Sequence, residues 1–491
     1  MTEQMTDRNR WIALYVLCAG VLMIVLDATV VNVALPSIQT DLHFTQSSLA
    51  WVVNAYLIAF GGLLLLAGRL GDLAGRKLIM MIGLVVFTTA SLVCGLADSQ
   101  TVLVIARFVQ GIGGALTSAV ILGVIVTMFP EPREQAKAIG VYGFVASAGG
   151  SVGLLAGGLI TQAIDWHWIF FVNVPIGIAT GFLAARLLPR DTGIGFASGA
   201  DIPGAVLITS ALMLGVYTIV KPAAEDGWGA GRTLAFAAVS LVLLLAFIGR
   251  EATARHPLMP LRIFRSRNVS GANAVQALLV AGMFGMFFLG ALYLQRVLGY
   301  DALKIGLAFL PATIVMGTLS LRFSERLIMN FGPKTTLLPG LVLITIGLLL
   351  FARAPVHGSY FADVFPVMIL LGLGVGGSFP ALMTLAMSGA TREDAGLASG
   401  LVNTAAQVGG ALGLAVLATL SSTRTTHLES GGSSHAAALT GGYHLAFLIG
   451  AGFTTLAVIV AATVLRVEAR PTEQAVEQAQ VEAERELVEV A

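Results

Sequence analysis

"VLMIVLDATVVNVALP", residues 21–36, is an almost unbroken apolar run that carries one carboxylate, Asp27. A charged Asp at the centre of a membrane helix costs about 2.5–3.5 kcal/mol even on insertion scales. The run itself extends over 12–35. That satisfies the roughly 20 apolar residues a bilayer span needs and exceeds the core of a signal peptide. The polar stretch before it, "MTEQMTDRNR", has no cleavage signal, so the run reads as a retained anchor.

The rest of the chain continues the theme. Of 491 residues, 56% are hydrophobic and 11% charged, with a mean hydropathy of +0.87. Soluble domains carry about 25% charged residues. The 57 glycines suit helices that approach closely inside a bilayer. A net charge of +1 argues against a nucleic-acid partner. Cys18 and Cys94 lie in apolar runs and read as buried free thiols.

Fourteen spans are expected, at 12–35, 49–68, 78–97, 101–128, 138–162, 167–188, 201–220, 232–249, 271–296, 305–323, 335–352, 364–388, 396–420 and 443–465. Long continuous apolar runs exclude a membrane β-barrel, which alternates residue by residue. With the N-terminus in the cytoplasm, the outer connections hold only Lys221, Arg296, Lys304, Arg353 and Arg424. The other loops hold most of the cations, including Arg69, Arg76, Lys77, Arg133, Arg190, Arg255, Arg322, Lys334 and Arg392. This asymmetry places both termini in the cytoplasm. Trp166, Trp168, Phe170 and Phe171 read as an interfacial aromatic belt at an outer helix end. The Glu-rich tail from Arg466 reads as a solvated helix or a disordered segment.

An internal repeat organises these spans. "QGIGGA" at 110–115 resembles "LGVGGS" at 373–378, "GGSVGLLA" at 149–156 resembles "GGALGLAV" at 409–416, and "GRLGDLAGRK" at 68–77 resembles "ERLIMNFGPK" at 325–334. The offsets are 263, 260 and 257. On the first of them Leu370 stands opposite Arg107. The expected fold is an all-α polytopic membrane protein of two six-helix bundles with two helices inserted between them. The divisions are 1–190 for the first bundle, 191–265 for the insert, 266–465 for the second bundle and 466–491 for the tail. Parallel six-helix halves of this kind place a substrate site between them, near the midplane.

Asp27 is the only acid deep inside any expected span. Its structural reading is a hydrogen-bonded residue that pins a helix contact. Its functional reading, favoured because intramembrane acids are functional by default, is a proton carrier facing an aqueous passage between the bundles. Arg107 is the natural counterpart, at the head of a helical stripe with Gln110, Gly114 and Ser118. In the loop 68–77, the group Gly68, Arg69, Gly71, Asp72, Gly75 and Arg76 reads as a conformational latch, with Asp72 pairing with Arg69 or Arg76 or capping a neighbouring helix end. Gly149, Gly153, Gly157 and Gly158 form a small-residue surface for tight packing between the half-bundles, which would decide which side can open. Asn54, Gln110, Asn273, Gln276, Asn403 and Gln407 are candidate substrate contacts, each equally able to bond another helix; Asn173 is a further neutral polar residue in a span. No Walker loop, no HExxH and no metal-ligand spacing is present, and the histidines sit at loops and helix ends. No enzyme activity, metal or cofactor is expected.

Four of these motifs together resemble the major facilitator superfamily, and within it the fourteen-helix drug:proton antiporters: "LDATVVNVALP" (26–36), "GRLGDLAGRK" (68–77), "RFVQGIGG" (107–114) and "WHWIFFVNVPIG" (166–177). The resemblance implies that Asp27 takes up the proton, that Arg107 couples to it, that Arg69, Asp72 and Arg76 form the latch, and that the glycines of the fifth helix belong to the antiporter signature. One departure is Leu154, where that signature has proline. The expected activity is proton-driven export of amphipathic, cationic or neutral, small molecules across the cytoplasmic membrane. The partners would be protons and lipid, the energy source the proton gradient, and the chain a monomer. The alternatives are a dedicated exporter of one metabolite, self-made antibiotic, siderophore or lipid, and a non-transporting sensor or scaffold.

Overall fold

The computed structural model describes residues 7–466 except 45–48, 50, 190, 192, 196–200, 221, 223–225, 255–256, 258–260, 301 and 389–394. The tail beyond Arg466 lies outside the described residues, as do Arg190, Lys221, Arg255 and Arg392.

The described residues form helices and no strands. The first six are α1 (Asp7–Asp41), α2 (Trp51–Ala74), α3 (Arg76–Gly95), α4 (Gln100–Met128), α5 (Pro132–Ala163) and α6 (Trp168–Leu187). Two more follow, α7 (Ile202–Val220) and α8 (Gly231–Thr253). The last six are α9 (Arg267–Arg296), α10 (Lys304–Phe331), α11 (Pro333–Phe351), α12 (Tyr360–Met387), α13 (Ala395–Ser430) and α14 (His435–Thr463). Thirteen of them are long and apolar enough to cross a membrane among the described residues. The remaining one, α5, is 32 residues long and runs unbroken past Leu154.

Five helix pairings recur in both sets of six, while α13 packs on α14 more extensively in the second set than α5 does on α6 in the first. In the first set α1 packs on α5 and α6, α3 on α4 and α6, and α2 on α4. In the second, α9 packs on α13 and α14, α11 on α12 and α14, and α10 on α12. The seam between the sets is matched as well: α2 and α4 meet α13, while α10 and α12 meet α5.

Small residues make this possible. A Cβ on Gly83 would come within 2.9 Å of the Gly113 carbonyl oxygen, and one on Gly340 within 2.7 Å of the Gly374 oxygen. Thr117 donates to Gly113 O at 2.9 Å and Ser378 to Gly374 O at 2.6 Å, a matched detail in each half. At this distance backbone dispersion replaces the hydrophobic drive that lipid cannot supply. The geometry also corrects one register. Gly113 corresponds to Gly374, an offset of 261 rather than 263, so Met368 and not Leu370 stands opposite Arg107. A two-residue slip in a glycine-rich motif leaves the letters similar but turns the helix by about 200°.

The expected aromatic belt is half wrong. Trp168 is exposed, but Trp166 and Phe170 are buried in a cluster with Val30, Ala34 and Ala106. Trp166 donates its indole N–H to Asp41 at 3.1 Å, which ties this connection to the end of α1.

The inserted pair sits against the seam. α7 packs on both α2 and α13, and α8 packs on α7. The outer face of α8 presents Leu234, Val239, Leu241, Val242 and Leu245, the surface of a helix turned to lipid.

Candidate functional site

Asp27 lies past the middle of α1 and is 2% exposed; Arg107 on α4 is 1% exposed. They meet inside the first bundle. Arg107 Nη1 donates to Asp27 Oδ2 at 2.6 Å and to Gln110 Oε1 at 2.6 Å, and its Nε donates to the Val52 carbonyl of α2 at 2.9 Å. The guanidinium lies 4.4 Å from the centre of the Tyr56 ring. The other carboxylate oxygen, Oδ1, accepts from Gln110 Nε2 at 2.8 Å and from Asn173 Nδ2 on α6 at 3.0 Å. Gln110 Nε2 also donates to Ser91 Oγ on α3 at 2.7 Å, and the Cys94 thiol donates to Gln110 Oε1 at 3.7 Å.

Every carboxylate lone-pair direction used here has a donor, which is what a buried charge needs. This corrects one expectation. Asp27 does not face a passage between the bundles; its hydrogen-bond partners all belong to the first bundle, and it opens to neither side in this conformation. The physical reason is that a carboxylate in low dielectric is held best by a guanidinium and amide donors.

The second feature lies where α2 meets α13. Asp72 Oδ1 accepts from Arg76 Nη2 at 3.0 Å and from the backbone N–H of Gly396 at 2.8 Å; Oδ2 accepts from the N–H of Leu397 at 2.7 Å. Gly396 and Leu397 open α13, so the carboxylate caps the positive end of a helix in the other half. The partner among the cations is Arg76, and the capped helix is not the neighbouring one. Gly68 is required here because a Cβ would meet the Gly396 oxygen at 2.6 Å. On the same face Arg133 of α5 pairs with Glu325 of α10 at 2.6 Å, a second tie across the seam.

The family model described as Major Facilitator Superfamily matches residues 17–414. The chain belongs to the major facilitator superfamily. It is 39% identical to the puromycin resistance protein of Streptomyces alboniger, over 93% of this chain and 91% of that one. It is 38% identical to the cephamycin export protein of Amycolatopsis lactamdurans, over 94% and 93%. Its fold is similar to that of the human organic anion transporter MFSD10, at a TM-score of 0.64 and 14% identity, covering 93% of this chain and 100% of that one. The resemblance read from the four motifs therefore holds, and the protein is a multi-pass membrane transporter of this superfamily.

In this transporter the six candidate substrate residues do not form one cluster. Gln110 belongs to the ion-pair network. Asn403 is half-buried on the seam, where its Nδ2 donates to Ser399 O at 2.9 Å and to Ser118 O of α4 at 3.4 Å. Asn273 and Gln276 are buried on α9, with Asn273 Nδ2 bonded to its own helix at Val269 O. Asn54 on α2 and Gln407 on α13 are half-buried. The α5 glycines pack closely, but within the first bundle and not between the half-bundles: Gly149, Gly153 and Gly157 abut Val25, Thr29 and Val30 of α1, while Gly158 is half-buried. Ser91, Cys94 and Tyr56 escaped sequence reading because each is an ordinary core residue until its neighbours are known. Asn173 carried a signal, a lone amide two residues past a double aromatic, that was not linked to Asp27.

Proposed function

We propose that this transporter is a proton-coupled antiporter that exports amphipathic, cationic or neutral, small molecules across the cytoplasmic membrane, with both termini in the cytoplasm. The observation that carries the reading is the sealed Asp27–Arg107 pair in a state whose latch is closed. Unprotonated Asp27 holds Arg107. A proton on Asp27 removes the charge that the guanidinium answers, so the pair loosens and the helix contacts made through Val52, Ser91 and Asn173 change with it. Opening of the latch gives Asp27 its route to one compartment. Carrying one charge through 100 mV supplies about 2.3 kcal/mol, enough to move a second solute uphill. The proton gradient is the energy source, no cofactor takes part, and one chain holds the whole device.

Purified protein in liposomes, given an imposed pH gradient and labelled cationic dyes, tests this reading. Asp27→Asn abolishes gradient-driven efflux while the protein remains monodisperse. Efflux equal to wild type refutes the role. A narrower reading, export of one dedicated antibiotic, is favoured by relatives named for puromycin resistance and cephamycin export. A substrate panel separates the two.

A further inference from the structure

The connection between α6 and α7 does not simply leave the first bundle; it crosses back over the latch loop. The carboxylate of Asp191 accepts from the backbone N–H of Arg76 at 2.6 Å and from that of Lys77 at 3.1 Å, the first two residues of α3. Ile194 N donates to Asp72 O at 2.9 Å and Gly195 N to Leu73 O at 3.0 Å, at the end of α2. The crossing is so close that both chains need glycine. Gly75 has φ +102 and a Cβ there would meet the Asp191 carbonyl at 2.5 Å; Gly193 has φ +62 and would meet the Leu73 carbonyl at 2.5 Å. Lys77 Nζ adds bonds to Ala185 O and Leu188 O at the end of α6.

Asp72 is thus tied twice. Its side chain caps α13 of the other half, and its backbone carbonyl holds the crossing segment. The segment then leads to α7, which seats on α2 where a Cβ on Gly62 would lie 3.1 Å from the Met213 Cα and which also touches α13. Among the described residues the second half has the lysine but no crossing. Lys334 bonds Ala462 O and Leu465 O as Lys77 does at α6, yet Gly332, the counterpart of Gly75, has nothing near its Cβ position among the described residues.

We infer that the inserted helices and their lead-in, fastened by Asp191, Ile194 and Gly195, act as a brace that holds α2 against α13 and favours the latch-closed state of the transport cycle. This rests on the latch reading and not on proton coupling. Through the brace, the two inserted helices set the ratio of closed to open protein.

The test reads that ratio. Ser399 is wholly buried on α13, beside the seam, so Ser399→Cys is reached by an aqueous maleimide only when the latch opens. The protein is labelled in lipid nanodiscs, where both faces are accessible. Asp191→Ala in that background raises the labelling rate about tenfold, the effect of losing charge-assisted hydrogen bonds made in one state alone. Gly193→Ala, which pushes the segment off the Leu73 carbonyl without touching Asp191, raises it in the same direction. Both are scored only on monodisperse protein. Asp72→Asn is the reference for the latch itself. If Asp72→Asn speeds labelling while Asp191→Ala and Gly193→Ala leave it unchanged, the brace is wrong and the latch stands. If Asp72→Asn is also without effect, the latch reading fails and the brace with it.

Discussion

The two halves of this transporter share one architecture and differ in what fills it. Helix for helix, Asp27 corresponds to Leu279, Arg107 to Met368, Gln110 to Leu371, Ser91 to Leu348, Cys94 to Phe351 and Asn173 to Gly450, as the matched glycine crossings of α1 with α9, α3 with α11, α4 with α12 and α6 with α14 define them. Leu279, Met368, Leu371, Leu348 and Phe351 are each buried to 2% exposure or less. One half therefore solves the same packing problem with hydrocarbon alone. The fold does not need an ion pair at this place, so the pair in the first half answers another requirement. A buried pair is weak evidence for stability, because well-packed apolar residues often do as well or better.

That comparison can be broken directly. The largest expected effect comes from giving the first half the second half's residues. Arg107→Met alone leaves Asp27 uncompensated and destabilises by about 3–5 kcal/mol. Asp27→Leu combined with Arg107→Met recovers most of that loss, because both buried charges are gone. Thermal unfolding in detergent measures the recovery, and proteoliposome efflux of the double variant falls to background. A double variant that still drives efflux would mean that the halves differ for a reason unrelated to coupling.

A smaller effect separates the two latch loops. Gly332→Ala meets open space among the described residues and suffers only its positive-φ backbone, about 1–3 kcal/mol. Gly75→Ala meets the same backbone penalty and also the Asp191 carbonyl, so its melting temperature falls further. Equal losses at the two positions would show that the crossing segment yields freely.

The smallest effect lies in the connections at the opposite face. In the first half Asp165 accepts from the backbone N–H of His167 at 2.9 Å, and this bond, with the nearby His167 ring, holds its carboxyl below the usual carboxylate range. A lowered acid contributes stability that is present above its unfolded value and lost as pH falls through its folded value. Asp165→Asn therefore lowers stability slightly at neutral pH and flattens the acid limb of the stability curve, the two proteins converging at low pH. The corresponding connection in the second half, with Glu429 against the His435 ring at 2.6 Å, provides the control. A steeper acid limb in the Asp165→Asn protein would reverse the sign of the argument.

Much of this was legible in the chain itself. Apolar run length marked thirteen of the fourteen helices as spans among the described residues, because a bilayer tolerates little else, and the glycine-rich motifs announced the repeat because only small residues let backbones touch. Asp27 and Arg107 stood out as single charges in apolar runs. Gly68, Asp72 and Gly75 stood out as a group because they are placed where neither span length nor loop cations require them. Substrate contacts were the weak point: neutral amides serve packing and binding equally, and Gln110 proved to hold Asp27.

The sequence by itself determined that the chain lies in a membrane, that it is built twice over, and that one half carries an acid and a base at high energetic cost; these follow from local composition and period. Only the tertiary structure decided what those groups face. It turned Asp27 inward to donors on two other helices, aimed Asp72 at the far half's helix end, corrected the repeat by two residues, and laid Asp191 over the loop 68–77. Such pairings join residues 80 or more positions apart, and long-range contacts of this kind are fixed by how helices dock, which no local pattern records.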